Sequence, residues 1–555
     1  MRILFSFVVC CYLSSLTSAQ ILRTDGTVIP GTEQITPGPG MIAEGFDLSA
    51  ARLSRLDLTD ASFRGSDLTN ASLLRSTITG VDFTDSRVNG TSFPAGFSAE
   101  DLYSTASYRE QNLEKLIIED RAGSERRLVK DISGWELSNQ DLVLARFHTV
   151  FGDGVQLENS NVSRGRLDGT FINANFGSSN FQDANFTQGS LINSIAVNAN
   201  FAGSQIRSFD IVRSDMSGSI FDAASVASTA FTKVNLRDTT WAETRIFDNS
   251  FRSSDLRGSV WNGTKIGSSV TFIATDFRDA TFDAAGTKGG TDFTLADFRG
   301  ATLNDVAWYN DTFTLADFSN TTIRGSYISG DLIQTNLSSA KLFDSLIGGI
   351  AFGANMTGAD LSHASLVDIT RIETVDLDGA RYNEFTQFPD GFDPVQHGMV
   401  FEAAAEGDLN GDRVLDSLDV DAYRSPVRGM IYHSVMDLNG DGEITGEDRL
   451  QWVREVANTW AGDANFDGRF DSTDFVQLFQ RNKYEDRGIG SIADWSDGDF
   501  DGNGYFNSAD MVLAFQDSGY EQGPRPALQA VPEPKFISAW IVWLLLLVAR
   551  RMSAR

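Results

Sequence analysis

The most specific chemistry in this chain lies in four twelve-residue loops between residues 408 and 510, each with oxygen donors at positions one, three, five, nine and twelve. The first offers Asp408, Asn410, Asp412, Asp416 and Asp419, and the second Asp437, Asn439, Asp441, Thr445 and Asp448. The third offers Asp463, Asn465, Asp467, Asp471 and Asp474, and the fourth Asp499, Asp501, Asn503, Asn507 and Asp510. Position seven contributes a backbone carbonyl, from Val414, Glu443, Arg469 and Tyr505. Hard oxygens in this number and spacing wrap one calcium ion, and position six should be glycine for the sharp turn. Gly442, Gly468 and Gly504 comply, whereas Arg413 does not, which predicts a weaker first loop. Without a cation the clustered carboxylates repel by roughly 1–4 kcal/mol per close pair. Asp and Gly are common in any turn. It is the fourfold repetition of one pattern that points to a metal.

The residues after each loop must hold it in place, and they read as helices. Asp474-Phe475-Val476-Gln477-Leu478-Phe479-Gln480 returns as Asp510-Met511-Val512-Leu513-Ala514-Phe515-Gln516, and Tyr484-Glu485 returns as Tyr520-Glu521 at the same offset. A calcium loop leading directly into a helix, with no long entering helix and Asp at position twelve, resembles a type I dockerin. That resemblance implies EF-hand-like calcium sites and docking on a cohesin-like partner, often within polysaccharide-degrading assemblies. Positions ten and eleven, which contact the partner in that family, are Ser472-Thr473 in loop three. Elsewhere they read Ser417-Leu418, Gly446-Glu447 and Ser508-Ala509, so the recognition pair is kept once.

A different period fills the middle of the chain. Every fifth residue from Leu48 to Phe93 is apolar, and so is every fifth residue from Phe171 to Ile266. Neither a helix nor a strand repeats every five residues. Two positions before the apolar centre, 17 of the 20 residues from Gly169 to Thr264 are Gly, Ala, Ser or Thr. One large and one small inward side chain per five residues describe a narrow tube whose wall turns a corner at each repeat. Ala184-Asn185-Phe186-Thr187-Gln188 and Ala359-Asp360-Leu361-Ser362-His363 resemble the pentapeptide-repeat pattern. The resemblance implies a right-handed quadrilateral β-helix, four repeats per coil, over roughly Phe46 to Phe385. Register slips near Ile172, Thr271, Gly286 and Ile333 predict loops or bulges.

The expected organisation follows. A signal peptide occupies 1–19, a linker 20–45, a first β-helix block 46–93, a helical insertion 94–130 and a second block 131–385. Ser98-Ala99-Glu100-Asp101 opens the insertion, with helix-like spacing through Leu102, Leu113 and Leu116. An exit segment spans 386–406, and the loops form pairs over 407–460 and 461–525. The fold class is thus mainly β, a solenoid plus a small α-helical calcium module.

Nothing in the sequence reads as a catalytic site. Its four histidines, His148, His363, His397 and His433, are far apart and lack metal-ligand spacing, and lone histidines on a solenoid read as surface corners. Cys10 and Cys11 are the only cysteines and lie within the apolar leader, so no thiol chemistry is expected. No phosphate-binding loop, nucleophile elbow or zinc-protease motif occurs. The net charge of −30 argues against nucleic acid. Residues 400–525 hold 26 acidic and 10 basic residues.

Both ends read as addresses. Ile3 to Leu16 with Thr17-Ser18-Ala19 predicts a secretory signal. Val531-Pro532-Glu533-Pro534, the apolar run Phe536 to Ala549 and Arg550-Arg551 resemble a PEP-CTERM sorting signal. That implies an exosortase-type processing enzyme, membrane attachment through the C-terminal segment, and an exported protein of the cell envelope or surface, released where the segment is cut. The expected function is a non-catalytic calcium-binding structural or interaction protein docking a cohesin-like protein or envelope component. The alternative is a non-catalytic accessory of a polysaccharide-degrading assembly, recruited by dockerin-cohesin pairing.

Overall fold

The computed structural model describes residues 20–94, 96–119, 129–424, 436–486 and 493–526. The chain divides into two compact units, Met1–Glu402 and Ala403–Arg555.

The first unit is a parallel β-solenoid of about 14 turns. Ile42 bridges Ser62, Asp47 bridges Asp67 and Arg52 bridges Ser72 in parallel, so an unbroken coil takes 20 residues, or four repeats. The periodic side chains fill its interior. The twenty from Phe171 to Ile266 are all between 0% and 3% exposed. They stack from coil to coil. Phe181, Phe201, Phe221, Trp241, Trp261 and Phe282 lie 5.2, 5.1, 4.2, 4.9 and 5.6 Å apart along one column. A second column runs Phe231, Phe251, Phe272, Phe293 and Phe313 at 4.5, 4.8, 5.2 and 5.3 Å.

The other positions of the repeat each satisfy backbone groups, as a buried chain requires. Just before the centre, Asp or Asn accepts the N–H two residues ahead, as at Asp67 from Thr69 (2.8 Å) and Asn355 from Thr357 (3.0 Å). Two before the centre, a serine joins coils. Ser76 accepts the Leu56 N–H at 3.0 Å and donates to the Leu53 carbonyl at 2.6 Å; Ser219 does the same with Ala199 and Ala196. Two after the centre the backbone turns through positive φ, as at Arg55 (63°), Asn70 (59°) and Asp238 (57°).

Coil length absorbs the register slips. Asn161 to Asn180 and Asp317 to Asn336 span 19 residues, and Ser250 to Thr271 spans 21. The bulges of the ladder fall between Phe147 and Val150, Leu167 and Thr170, and Trp308 and Asp311.

Helices α1 (Ala99–Ser104) and α2 (Ala106–Arg109) interrupt the first unit. Ser98 and Asp101 form a capping box on α1. The helical part is shorter than the 94–130 stretch expected. Asn112 already bridges Asp141, and Ile117–Glu119 pairs with both Ser92–Phe93 and Arg146–His148. Leu113 and Leu116 suit a helical spacing, but Leu113 and Ile118 also keep the five-residue period, with Leu116 in the small-residue slot; all three are buried in the coil. The stretch 20–45, read above as a linker, packs Ile21, Ile29, Met41 and Ala43 into the solenoid core. At the other end Val400–Phe401 adds a parallel strand to Arg381–Tyr382, with Phe388 and Phe392 stacked at 5.1 Å.

The second unit holds α3 (Ser417–Asp421), α4 (Gly446–Gln451), α5 (Ser472–Arg481) and α6 (Ser508–Gln516) around its own core, which includes Val420, Trp452, Phe470, Leu478, Trp495 and Phe506. Among the described residues no helix is long and apolar enough to cross a membrane. The leader 1–19, His433, the Pro532-Glu533-Pro534 motif and the run 536–549 lie outside the described residues.

Candidate metal centre

The four acidic loops share one conformation. Position six has positive φ in all of them: 69° at Arg413, 89° at Gly442, 87° at Gly468 and 86° at Gly504. Arg413 thus makes the glycine turn despite its side chain, which opposes it. Position nine caps the helix that follows, from Asp416, Thr445, Asp471 and Asn507. Each cap is a capping box completed by the position-twelve aspartate.

Positions one and twelve are drawn inward by backbone donors. Asp463 accepts the N–H groups of Asp467 (3.0 Å) and Gly468 (2.8 Å), while Asp499 accepts those of Gly502 and Gly504, both at 3.0 Å. At position twelve, Asp474 accepts from Ala464 (2.9 Å), Asn465 (3.1 Å) and Asp471 (2.9 Å). Asp510 accepts from Phe500 (2.9 Å), Asp501 (3.0 Å) and Asn507 (2.9 Å). Position five turns toward position seven: Asp412, Asp441, Asp467 and Asn503 accept the N–H of Val414, Glu443, Arg469 and Tyr505 at 2.8 to 3.0 Å.

The loops differ in enclosure. Asp408, Asp419, Asp463, Asp474, Asp499 and Asp510 are buried, whereas Asp437 of loop two is half-buried and Asn439 and Asp441 are exposed. In loop four the carboxylate oxygens of Asp499, Asp501 and Asp510 lie within 4.8 Å of one another, close enough for one ion to touch all three. Burial raises six of the loop carboxylates above the usual range, while backbone donors hold Asp448 of loop two below it despite its burial. Burial lifts Asp419 to about 7 and Asp463 and Asp510 to about 6, with Asp408, Asp474 and Asp501 also raised. Backbone donors oppose each rise; adjacent carboxylates add to it, Asp408 on Asp419 and Asp501 and Asp499 on Asp510. An all-oxygen set, partly buried and short of positive charge, fits a hard divalent cation. A bound calcium ion would take donors from positions one, three, five, seven, nine and twelve of each loop.

Two residues that the loop pattern does not contain also shape the site. Thr459 donates its hydroxyl to Asp463, the first donor of loop three. Arg449 of α4, 1% exposed, lies 3.2 Å from Asp421 of α3 and 3.9 Å from Asp499 of loop four, and covers the Trp495 ring at 5.3 Å. Gly502, with φ 82°, would place a Cβ 2.8 Å from the Arg449 guanidinium, so a side chain there would be strained and would displace Arg449. A basic residue inside a helix gives no loop-spacing signal, which is why the sequence did not reveal Arg449.

The described histidines are elsewhere, each in its own setting. His148 Nδ1 is 2.5 Å from buried Asp168, which also accepts from Arg166 at 2.6 Å. His363 corrects the surface-corner expectation: it is 2% exposed, against Asn383 and Phe385. His397 stacks on Phe392.

The family model for pentapeptide repeats matches residues 47–85, in eight copies, and the chain carries these repeats. No curated protein matches the chain. Among solved structures, it is similar to a pentapeptide repeat protein involved in heterocyst differentiation regulation from the cyanobacterium Nostoc sp. strain PCC 7120. Identity is 17%, over 52% of this chain and 95% of that one, with a TM-score of 0.16. It is also similar to a pentapeptide repeat protein from the cyanobacterium Cyanothece 51142, at 18% identity over 24% and 90% of the two chains, TM-score 0.14. A full-length plasmid-mediated fluoroquinolone resistance protein matches at 13% identity over 43% and 94%, TM-score 0.14.

Proposed function

We propose that this protein is an exported, envelope-associated, non-catalytic calcium-binding protein, in which the pentapeptide-repeat solenoid is a spacer or adhesive surface and the second unit docks a partner. The observation that carries the calcium reading is the shared loop geometry. Four segments of different sequence reach the same turn at position six, even where glycine is missing; all four bury the position-twelve aspartate, and loops one, three and four bury the position-one aspartate as well. Ordinary acidic turns have no reason to bury their charges in this way.

The docking part draws on α5 and α6. Val476 and Phe479 on one, and Val512 and Phe515 on the other, are 47% to 57% exposed at corresponding positions. Such paired apolar residues suit a protein partner of the cohesin kind. Export and envelope attachment rest on the terminal sequence patterns alone.

Calorimetric titration of the full-length chain with calcium tests the reading. At least two ions per chain are expected, with a gain of helix in circular dichroism. Fewer than two, or an unchanged spectrum, would reduce the loops to acidic turns.

A further inference from the structure

We infer that loops three and four load as one cooperative unit, because each is closed by the segment that follows the other loop's helix. This rests on the calcium reading and adds to it the regulation of those two sites.

Two dipeptides carry the inference, Tyr484-Glu485 beyond α5 and Tyr520-Glu521 beyond α6. Tyr484 forms a parallel bridge with Phe506, the eighth residue of loop four, and the Glu485 N–H donates to the Phe506 carbonyl at 2.8 Å. Tyr520 forms the same bridge with Phe470, the eighth residue of loop three, and the Glu521 N–H donates to its carbonyl at 2.8 Å. The rings repeat the crossing. Tyr484 meets Phe506 edge-on at 5.1 Å, and Tyr520 meets Phe470 edge-on at 5.3 Å. Glu485 and Glu521 both have positive φ, 55° and 58°, a conformation a side chain opposes unless its surroundings hold it.

Phe470 and Phe506 are 0% and 1% exposed, and each sits between the position-seven carbonyl and the position-nine donor of its loop. Whatever fixes the phenylalanine therefore fixes a donor on either side. A cation that closes loop three orders Phe470, which holds Tyr520 and the end of α6. A cation in loop four orders Phe506, which holds Tyr484 and the end of α5. Once one ion has ordered the pair, the second meets a site with less freedom left to lose, which is positive cooperativity.

The test uses the full-length chain with Asp408→Ala and Asp437→Ala, which disable loops one and two, and calcium alone as ligand. Two ions should bind with positive cooperativity. Adding Asp499→Ala, which disables loop four, should weaken loop three at least about fivefold, the lower end of ordinary site coupling. Tyr484→Ala lies outside every loop, yet it should weaken loop four by a similar factor and remove the cooperativity, with helix content in saturating calcium unchanged; Tyr484→Phe should behave as the parent. If Tyr484→Ala does not fold, the Asp499→Ala comparison decides alone. Loop three unchanged within about twofold would overturn the coupling while leaving the calcium reading intact. A parent that binds no calcium would defeat both.

Discussion

Within one pentapeptide each side chain has a separate task, and the tasks differ in how far the sequence reveals them. The apolar centre and the small residue before it are legible, because their spacing is local. The coil-to-coil work of serines such as Ser76 and Ser219 is not, because their partners stand 20 or 23 residues away and depend on the register. Phe201 tests the centre. It stacks between Phe181 and Phe221 at 2% exposure, so Phe201→Asp buries an unpaired charge. A loss above about 4 kcal/mol is expected. A variant that melts like the parent would show the inward register to be wrong. Asp311 tests the small-residue slot. It is 1% exposed, accepts from Thr287 Oγ1 (2.7 Å) and the Thr291 N–H (2.8 Å), and is lifted by burial to about 6. Its folded-state value exceeds the unfolded one, so the native state keeps a proton that the unfolded chain releases. Stability should fall as pH rises from about 4 to about 6, then level off, by on the order of 2–3 kcal/mol. Asn249 fills the equivalent slot, accepting the Thr229 N–H at 2.8 Å with a neutral amide. Asp311→Asn should therefore raise the melting temperature at pH 7 and leave it unchanged near pH 4. Equal effects at both values would contradict the buried charge.

At the scale of elements, the loop-helix unit is the reading that spacing makes possible. The four loops and the helices they cap were legible, since each turn and its capping box close within twelve residues. Two features were not. Arg449 reaches Asp499 from another helix, and the repeated Tyr-Glu dipeptides were visible as a repeat without their crossed partners. The helical insertion was overextended because Leu113 and Leu116 suit two periods at once. Arg413 gives the element its sharpest test. Glycine at that site removes a backbone penalty of about 1–2 kcal/mol and a positive charge beside the incoming ion. Arg413→Gly should tighten loop one by on the order of tenfold in a calcium titration; no change would mean the turn does not limit binding. Asp463→Ala with Asp467→Ala should remove one ion from the stoichiometry and loosen α5, which loop three caps through Asp471. Retention of every ion would remove these residues from the donor set.

At the scale of the molecule, two units with separate cores should respond to calcium separately. The solenoid is held by stacked rings and a continuous hydrogen-bonded wall, neither of which involves a cation. The second unit gathers carboxylates that burial already makes reluctant to ionise, so its folding should draw on metal binding. A site filled at a hundred times its dissociation constant adds about 2.7 kcal/mol. Scanning calorimetry of the full-length chain, in chelator and then in excess calcium, tests this division most directly. One transition should stay in place and a second should move to higher temperature with calcium. A thermogram that calcium leaves unchanged would contradict the account.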